Sequence, residues 1–101
     1  MSQPTIKQSK AAAQVSGKID SLAWQYSSLH NDISTGQARD GIRALLNAAV
    51  RRYSVSATWV SLSRGLGVNN VPATGEQIKA LMGWAQSSGL VSIRKEVMSR
   101  P

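Results

Sequence analysis

The chain has 101 residues, of which 42% are apolar and 17% are charged. This length is typical of one domain with a single core, and it leaves no room for a deep active-site cleft. Twelve Lys and Arg residues against five Asp and Glu give a net charge of +7, which favours contact with phosphate groups. An alternative interpretation is that the basic excess only keeps the domain soluble.

Cysteine is absent, which excludes disulfide bonds and cysteine-based metal sites and suits a reducing compartment. The N-terminal residues lack the apolar segment of a secretory signal. No stretch approaches the roughly 20 apolar residues that a membrane span needs. We therefore expect a cytoplasmic protein with no membrane contact.

Residues 1–10 are polar, include Pro4 and carry Lys7 and Lys10, which is typical of a flexible basic tail. The rest, 11–101, is expected to form a single helical domain. Its first element is a long amphipathic helix over 11–33, because apolar residues recur there at steps of three and four. They are Val15, Ile19, Leu22, Ala23, Tyr26, Leu29 and Ile33. This helix either packs on its own domain or mediates a homodimer.

A second helix is predicted after Ser34, because Ser34 and Gln37 have the spacing of a capping box. Its apolar stripe predicts an end near Tyr53, and it consists of Ile42, Leu45, Leu46, Ala49, Val50 and Tyr53. Residues 54–56 then fit a turn or a brief strand in which Ser54 or Ser56 caps the next helix.

The spacing of Trp59, Leu62 and Leu66 predicts a shorter third helix. It is expected to end at Gly65 and Gly67, in turns that require positive φ. An irregular loop should follow, because the next residues include two asparagines and Pro72.

Thr74 and Gln77 form another capping-box pair, which predicts a fourth helix over about 75–88 that Gly89 ends. Beyond it, apolar residues alternate loosely with polar and basic ones up to Val97, which suits a short β-strand. The predicted fold is therefore mainly α, a compact bundle of about four helices with a short strand after the last helix.

The order of helix, short helix, glycine turn, capped helix and the Ser-Gly-Leu-Val segment at 88–91 resembles a winged helix-turn-helix DNA-binding domain over about residues 40–97. The resemblance implies a recognition helix from Thr74 to Ser88, a β-wing after it and a role in transcription regulation. Two features depart from the family pattern. The loop from Gly65 to Ala73 is longer than a simple turn, and little chain follows Val97 to complete a wing.

The expected nucleic-acid contacts come from the recognition helix and from basic residues around it. Gln77, Lys79 and Gln86 have side chains that can pair with base edges. Arg51 and Arg52 suit either phosphate contacts or the negative end of the second helix. The expected contact residues are Arg64, Thr74, Gln77, Lys79, Gln86, Arg94 and Lys95.

The sequence offers no catalytic constellation. His30 is the single histidine, and the five acidic residues are scattered without the spacing of a triad, a paired-carboxylate site or a metal cluster. We therefore expect no enzymatic activity, no cofactor and no metal. The three tryptophans, Trp24, Trp59 and Trp84, suit either core packing or the stacking of unpaired bases, and off the core they suit a protein interface.

The sequence thus predicts a small basic nucleic-acid-binding protein, a DNA-binding accessory or regulatory factor that acts through phosphate and groove contacts. DNA is favoured over RNA. The alternative is a protein-binding adaptor or inhibitor, of the kind that phages and plasmids encode, which docks on an acidic protein or a nucleoprotein.

Overall fold

The computed structural model describes residues 17–99, and this part of the chain is mainly helical. Helix α1 occupies 17–29, α2 Thr35–Arg51, α3 Val55–Gly65, α4 Gly75–Ser87 and the short α5 Lys95–Met98. The predicted tail over 1–10 and the predicted start of the first helix over 11–16 lie outside the described residues. Within residues 17–99, no helix is long and apolar enough to cross a membrane.

Side-chain caps begin three of the helices. Ser34 caps α2 and Thr74 caps α4, each as half of a complete capping box with Gln37 or Gln77, as predicted. Ser54 caps α3 by accepting a hydrogen bond from the Ala57 amide. Residues 54–56 are therefore the cap and first turn of a helix rather than a strand.

A single core joins all five helices. Helix α1 contributes Ile19, Ala23 and Tyr26 to it, so its apolar stripe packs within its own domain. The predicted stripes were wrong at three positions, since Leu29 is 68% exposed, Val50 is 82% exposed and Ala49 is exposed as well. Helix α1 ends at residue 29 and the chain turns away, and Val50 stands in the last turn of α2.

Helices α2 and α3 cross closely at two glycines. A methyl group added at Gly65 would lie 2.9 Å from the carbonyl oxygen of Asp40, and one added at Gly41 would lie 2.5 Å from the side chain of Leu66. The expectation that Gly65 and Gly67 supply positive-φ turns was wrong, because Gly89 is the described glycine with that geometry. Gly65 belongs to α3 and serves the close approach of two backbones.

The segment after α4 differs from the predicted strand. Gly89 has φ +75° and ends the helix as expected, but residues 91–94 have no regular structure and Lys95–Met98 forms a helical turn. No neighbouring strand is available there for pairing within the described chain. Instead, Trp59 Nε1 donates a hydrogen bond of 2.9 Å to the carbonyl oxygen of Val97, which ties α5 to α3.

Candidate nucleic-acid interface

The C-terminal end of α2 presents two adjacent cations. Arg51 lies in the last turn, and Arg52 ends the helix in the left-handed conformation at φ 54°. The Arg52 amide donates to the carbonyls of Ala48 and Ala49, and the Tyr53 amide donates to Ala48 at 3.0 Å. This pattern of bonds belongs to the Schellman type of helix ending. It turns the chain sharply and leaves both arginine side chains exposed.

Arg94 reaches the same end of α2 from the other end of the described chain, and Lys95 follows it at the start of α5. Arg94 Nη2 donates a hydrogen bond of 3.2 Å to the carbonyl oxygen of Tyr53. Arg94 Nη1 also lies 3.4 Å from Glu96 Oε1, in an exposed ion pair. Sequence reasoning missed the role of Tyr53 here, because the bond spans 41 residues and involves a backbone carbonyl that no local pattern marks.

These four residues, Arg51, Arg52, Arg94 and Lys95, form what we call the cation cluster. All four are exposed, and Glu96 is the carboxylate paired with one of them. Positive side chains at the C-terminal end of α2 also meet its partial negative charge, which stabilises the helix. The cluster can therefore serve the helix end and attract an anion at the same time.

A pocket of about 260 Å³ lies beside the cation cluster. Arg52 and Arg94 both line it, together with Tyr53. Its remaining lining is mostly apolar and comes from α2, α3, the 91–93 segment and α5, with Leu45, Ala48, Ala49, Thr58, Val91, Ser92, Ile93 and Val97. Arg52 and Arg94 thus line one pocket, although 42 positions separate them in the sequence.

Two of the residues expected to contact nucleic acid, Thr74 and the base reader Gln77, are engaged in holding the start of α4. The side-chain oxygen Oε1 of Gln77 accepts a hydrogen bond of 2.9 Å from the backbone amide of Thr74. The backbone amide of Gln77 in turn donates to Thr74 Oγ1 at 3.1 Å. Gln77 Nε2 also donates to Asp32 Oδ2 at 3.1 Å. The functional groups of Thr74 and Gln77 are thus used within the protein.

The exposed face of α4 carries the other two expected base readers. Lys79 and Gln86 are both exposed, seven positions apart and hence on one side of the helix. Gln86 Oε1 accepts a weak bond of 3.3 Å from the Ile93 amide, which leaves its NH2 group available. Gly83 lies between them, and a methyl group added there would meet nothing within 4 Å. Gly83 is therefore not a packing requirement.

Arg64 lies apart from the cation cluster, in a wider groove of about 820 Å³ between α3 and the start of α4. One wall is a small hairpin in which Val68 and Val71 exchange both backbone hydrogen bonds, at 3.0 and 2.9 Å. Asn69 and Asn70 form its turn with φ 51° and 65°. Positive φ at both central residues identifies a type I′ turn. The expected irregular loop is thus partly ordered, and the Asn-Asn pair was the available signal.

The three tryptophans have different environments. Trp59 is buried and Trp84 is half-buried, with its ring centroid 5.0 Å from that of Tyr26. Trp24 is 65% exposed on α1. Core packing therefore accounts for Trp59 and largely for Trp84, while Trp24 is free to stack or to contact a partner.

Comparisons with known proteins give no relative for this chain, which matches no protein-family model, no curated protein and no solved structure. Within residues 17–99, no three His, Asp or Glu side chains are placed to hold a metal ion. The case for a function therefore depends on the surface of the molecule.

Proposed function

We propose that this chain is a small nucleic-acid-binding protein, an accessory or regulatory factor that holds phosphates with its cation cluster. The observation that carries the proposal is the hydrogen bond from Arg94 Nη2 to the Tyr53 carbonyl, which holds Arg94 at the end of α2 that Arg51 and Arg52 occupy. Among the described residues, these four exposed cations and the Glu96 carboxylate that pairs with Arg94 sum to a charge of +3. Such a surface attracts the phosphate backbone regardless of base sequence.

The proposal includes a winged-helix-like docking in which α4 approaches the major groove. Lys79 and Gln86 are the side chains of α4 that suit paired contacts to base edges. Thr74 and Gln77 are expected to act through the stability of α4, because their polar groups are engaged in its cap. Sequence-independent phosphate binding is therefore the larger part of the proposed affinity, and DNA is favoured over RNA as the partner.

The experiment is a fluorescence-anisotropy titration of random duplex DNA, with single-stranded DNA and RNA of the same length alongside. The test variant is Arg51→Gln with Lys95→Gln, which removes two charges from the cluster and spares the bonded Arg94. The matched control is Lys18→Gln with Arg43→Gln, which removes two exposed charges elsewhere. The test variant is expected to bind roughly tenfold more weakly or worse, because phosphate contacts contribute most of such affinity.

Two results would contradict the proposal. If the wild-type protein binds none of the three nucleic acids at low salt, the proposal of nucleic-acid binding is wrong. Equal weakening in the test and control variants would show that only the net charge matters and that the cation cluster is no site.

A second candidate function is protein binding, favoured by the groove beside Arg64. Val60, Val68 and Val71 are exposed large apolar side chains that line this groove next to a cation. The chain carries +7, so the partner that fits is an acidic protein segment with an apolar side chain to insert. An exposed apolar patch of this kind is typical of protein-interaction sites.

This second function can be tested because the chain has no cysteine of its own. A photo-crosslinker attached to the new cysteine of Val71→Cys should capture an acidic protein. Adding Arg64→Gln to this variant should abolish the capture. Adding Arg51→Gln with Lys95→Gln instead should leave the capture intact. Capture that is insensitive to Arg64→Gln, or that yields no acidic partner, would contradict docking in this groove.

A further inference from the structure

The pocket of about 260 Å³ beside the cation cluster has an apolar lining that the proposed phosphate contacts do not use. Leu45, Ala48 and Val97 are the buried part of this lining. Ala49 is exposed and Ile93 is half-buried, so both have accessible surface for contact with a ligand. The pocket can therefore hold an apolar group, which a phosphate lacks.

Thr58 and Tyr53, two polar residues of this lining, use their hydroxyl groups within the protein. The buried hydroxyl of Thr58 donates a hydrogen bond of 2.8 Å to the carbonyl oxygen of Ser54. The hydroxyl of Tyr53 accepts a hydrogen bond of 3.2 Å from Asn47 Nδ2. A polar ligand group placed against these walls would lose water without gaining a free partner, so the lining favours an apolar body.

The charge of the lining has one sign. Arg52 and Arg94 line the pocket, and none of the other described lining residues is charged. Within residues 17–99, Arg52 forms no ion pair, whereas Arg94 has an exposed one with Glu96 at 3.4 Å. A guanidinium group has five N–H donors, so the hydrogen bond from Arg94 to the Tyr53 carbonyl leaves most of them for a ligand. The lining therefore attracts an anionic group.

The backbone of Arg52 has a conformational cost that glycine would avoid. Its φ of 54° and ψ of 51° lie in the left-handed region, where a side chain is disfavoured and glycine is the usual residue after a helix. Glycine would end α2 with less strain, but it would bring no cation to the pocket. Residues held in such conformations are frequent at ligand sites.

We propose that this pocket binds a small carboxylate with an apolar body. The carboxylate pairs with Arg52 and Arg94, and the apolar part lies against Ala49 and Ile93. Arginine suits this ligand because its planar guanidinium can donate two parallel hydrogen bonds to a carboxylate. The pocket volume is below the roughly 300–1,000 Å³ that is typical of sites for drug-sized ligands, so the ligand is small.

The test is a nuclear magnetic resonance titration with sodium hexanoate at constant ionic strength, followed through the Ile93 methyl signal, which Ile93→Val identifies. Hexanamide serves as the neutral molecule of nearly the same shape, and acetate as the anion with hardly any apolar body. We expect a saturable shift with hexanoate and roughly tenfold weaker binding of each control, as the loss of a charged hydrogen bond or of several buried methylenes causes. No saturable shift with hexanoate, or equal affinity for either control, would overturn the proposal.

Arg52→Gly separates a role in binding from a role in the fold. It should weaken hexanoate binding roughly tenfold, because a charged hydrogen-bond partner is lost. The Tm should stay the same or rise, since glycine suits the left-handed conformation at this position. Arg43→Gln is the matched control, because Arg43 is an exposed arginine of α2 outside the pocket. Unchanged hexanoate affinity in Arg52→Gly would overturn the assignment of the site.

Ala49→Leu tests the apolar part without changing any charge. The larger side chain should occupy the pocket and abolish hexanoate binding, whereas Val50→Leu, at the exposed neighbouring position outside the pocket, should not. Melting curves establish that both variants are folded. Hexanoate binding that Ala49→Leu leaves intact would place the ligand elsewhere and overturn the proposal. The titration contains no nucleic acid, so its result is separate from whether the cation cluster binds phosphate.

Discussion

Two glycine-to-alanine substitutions should change stability in opposite directions. Gly83 lies inside α4 with open space around it, so Gly83→Ala gains helix propensity and should stabilise the protein by about 0.5–1 kcal/mol. At Gly65 the new methyl group would lie 2.9 Å from the Asp40 carbonyl oxygen and 3.1 Å from Ala44 Cβ. Backbone cannot move aside as a flexible side chain can, so overpacking of about 1–3 kcal/mol outweighs any gain in propensity.

Urea and thermal denaturation, each followed by circular dichroism, measure the free energy of unfolding and the Tm of both variants against the wild type. In a domain of this size, 1 kcal/mol corresponds to roughly 4–8 °C in Tm, so the two variants should differ by roughly 10 °C. The chemistry of the substitution is the same in both, which makes each the control for the other. If Gly65→Ala were as stabilising as Gly83→Ala, the close crossing of α2 and α3 would be wrong.

Three further predictions concern single side chains. Thr74→Ala should lower the free energy of unfolding by about 1 kcal/mol, because it removes the cap of α4, and Thr74→Ser should retain most of it in the same denaturation assay. Trp59→Phe should remove the hydrogen bond to the Val97 carbonyl. Amide hydrogen exchange should then become faster in α5 than in the wild type, with a smaller change in α2. An equal increase in the two helices would contradict the role of this bond in holding α5 on α3. Burial, and next the negative charge of Asp32, raise the pKa of Tyr26 to about 12. The unfolded chain therefore loses this proton first, so stability should fall between about pH 10 and 12. Tyr26→Phe should flatten that part of the pH profile, and an unchanged profile would contradict the burial of the hydroxyl.

The helices were predictable where their signals are local. Ser34 with Gln37 and Thr74 with Gln77 are capping boxes contained within four residues, so the sequence alone predicts where α2 and α4 begin. Gly89 is equally local, because a residue with positive φ after a helix is most often glycine.

The predictions were wrong where distant contacts decide the structure. The alternation before Val97 suggests a strand, but Val97 is buried through packing and through its bond to Trp59, 38 residues away. Likewise, no local pattern distinguishes a glycine that turns the chain from one, such as Gly65, that lets two helices approach.

The candidate site was predictable by residue type but not by arrangement. Arg94 and Lys95 were expected to contact phosphate, and Arg51 and Arg52 were open to two interpretations. Their proximity depends on the 3.2 Å bond between Arg94 and the Tyr53 carbonyl, which spans 41 residues. Conversely, Gln77 has a side chain suited to reading bases. Only the structure shows that its side-chain oxygen accepts a hydrogen bond in the cap of α4 and that its side-chain nitrogen donates one to Asp32.

The most direct test of the proposed function is the salt dependence of binding to random duplex DNA. Each phosphate contact contributes about 0.9 to the slope of log affinity against log salt concentration, so a cluster of four cations predicts a slope of roughly −3 to −4. Arg51→Gln with Lys95→Gln should reduce the steepness by about 2, and Lys18→Gln with Arg43→Gln should leave it nearly unchanged. A slope near zero, or one that the cluster variant does not alter, would contradict phosphate binding by these four residues.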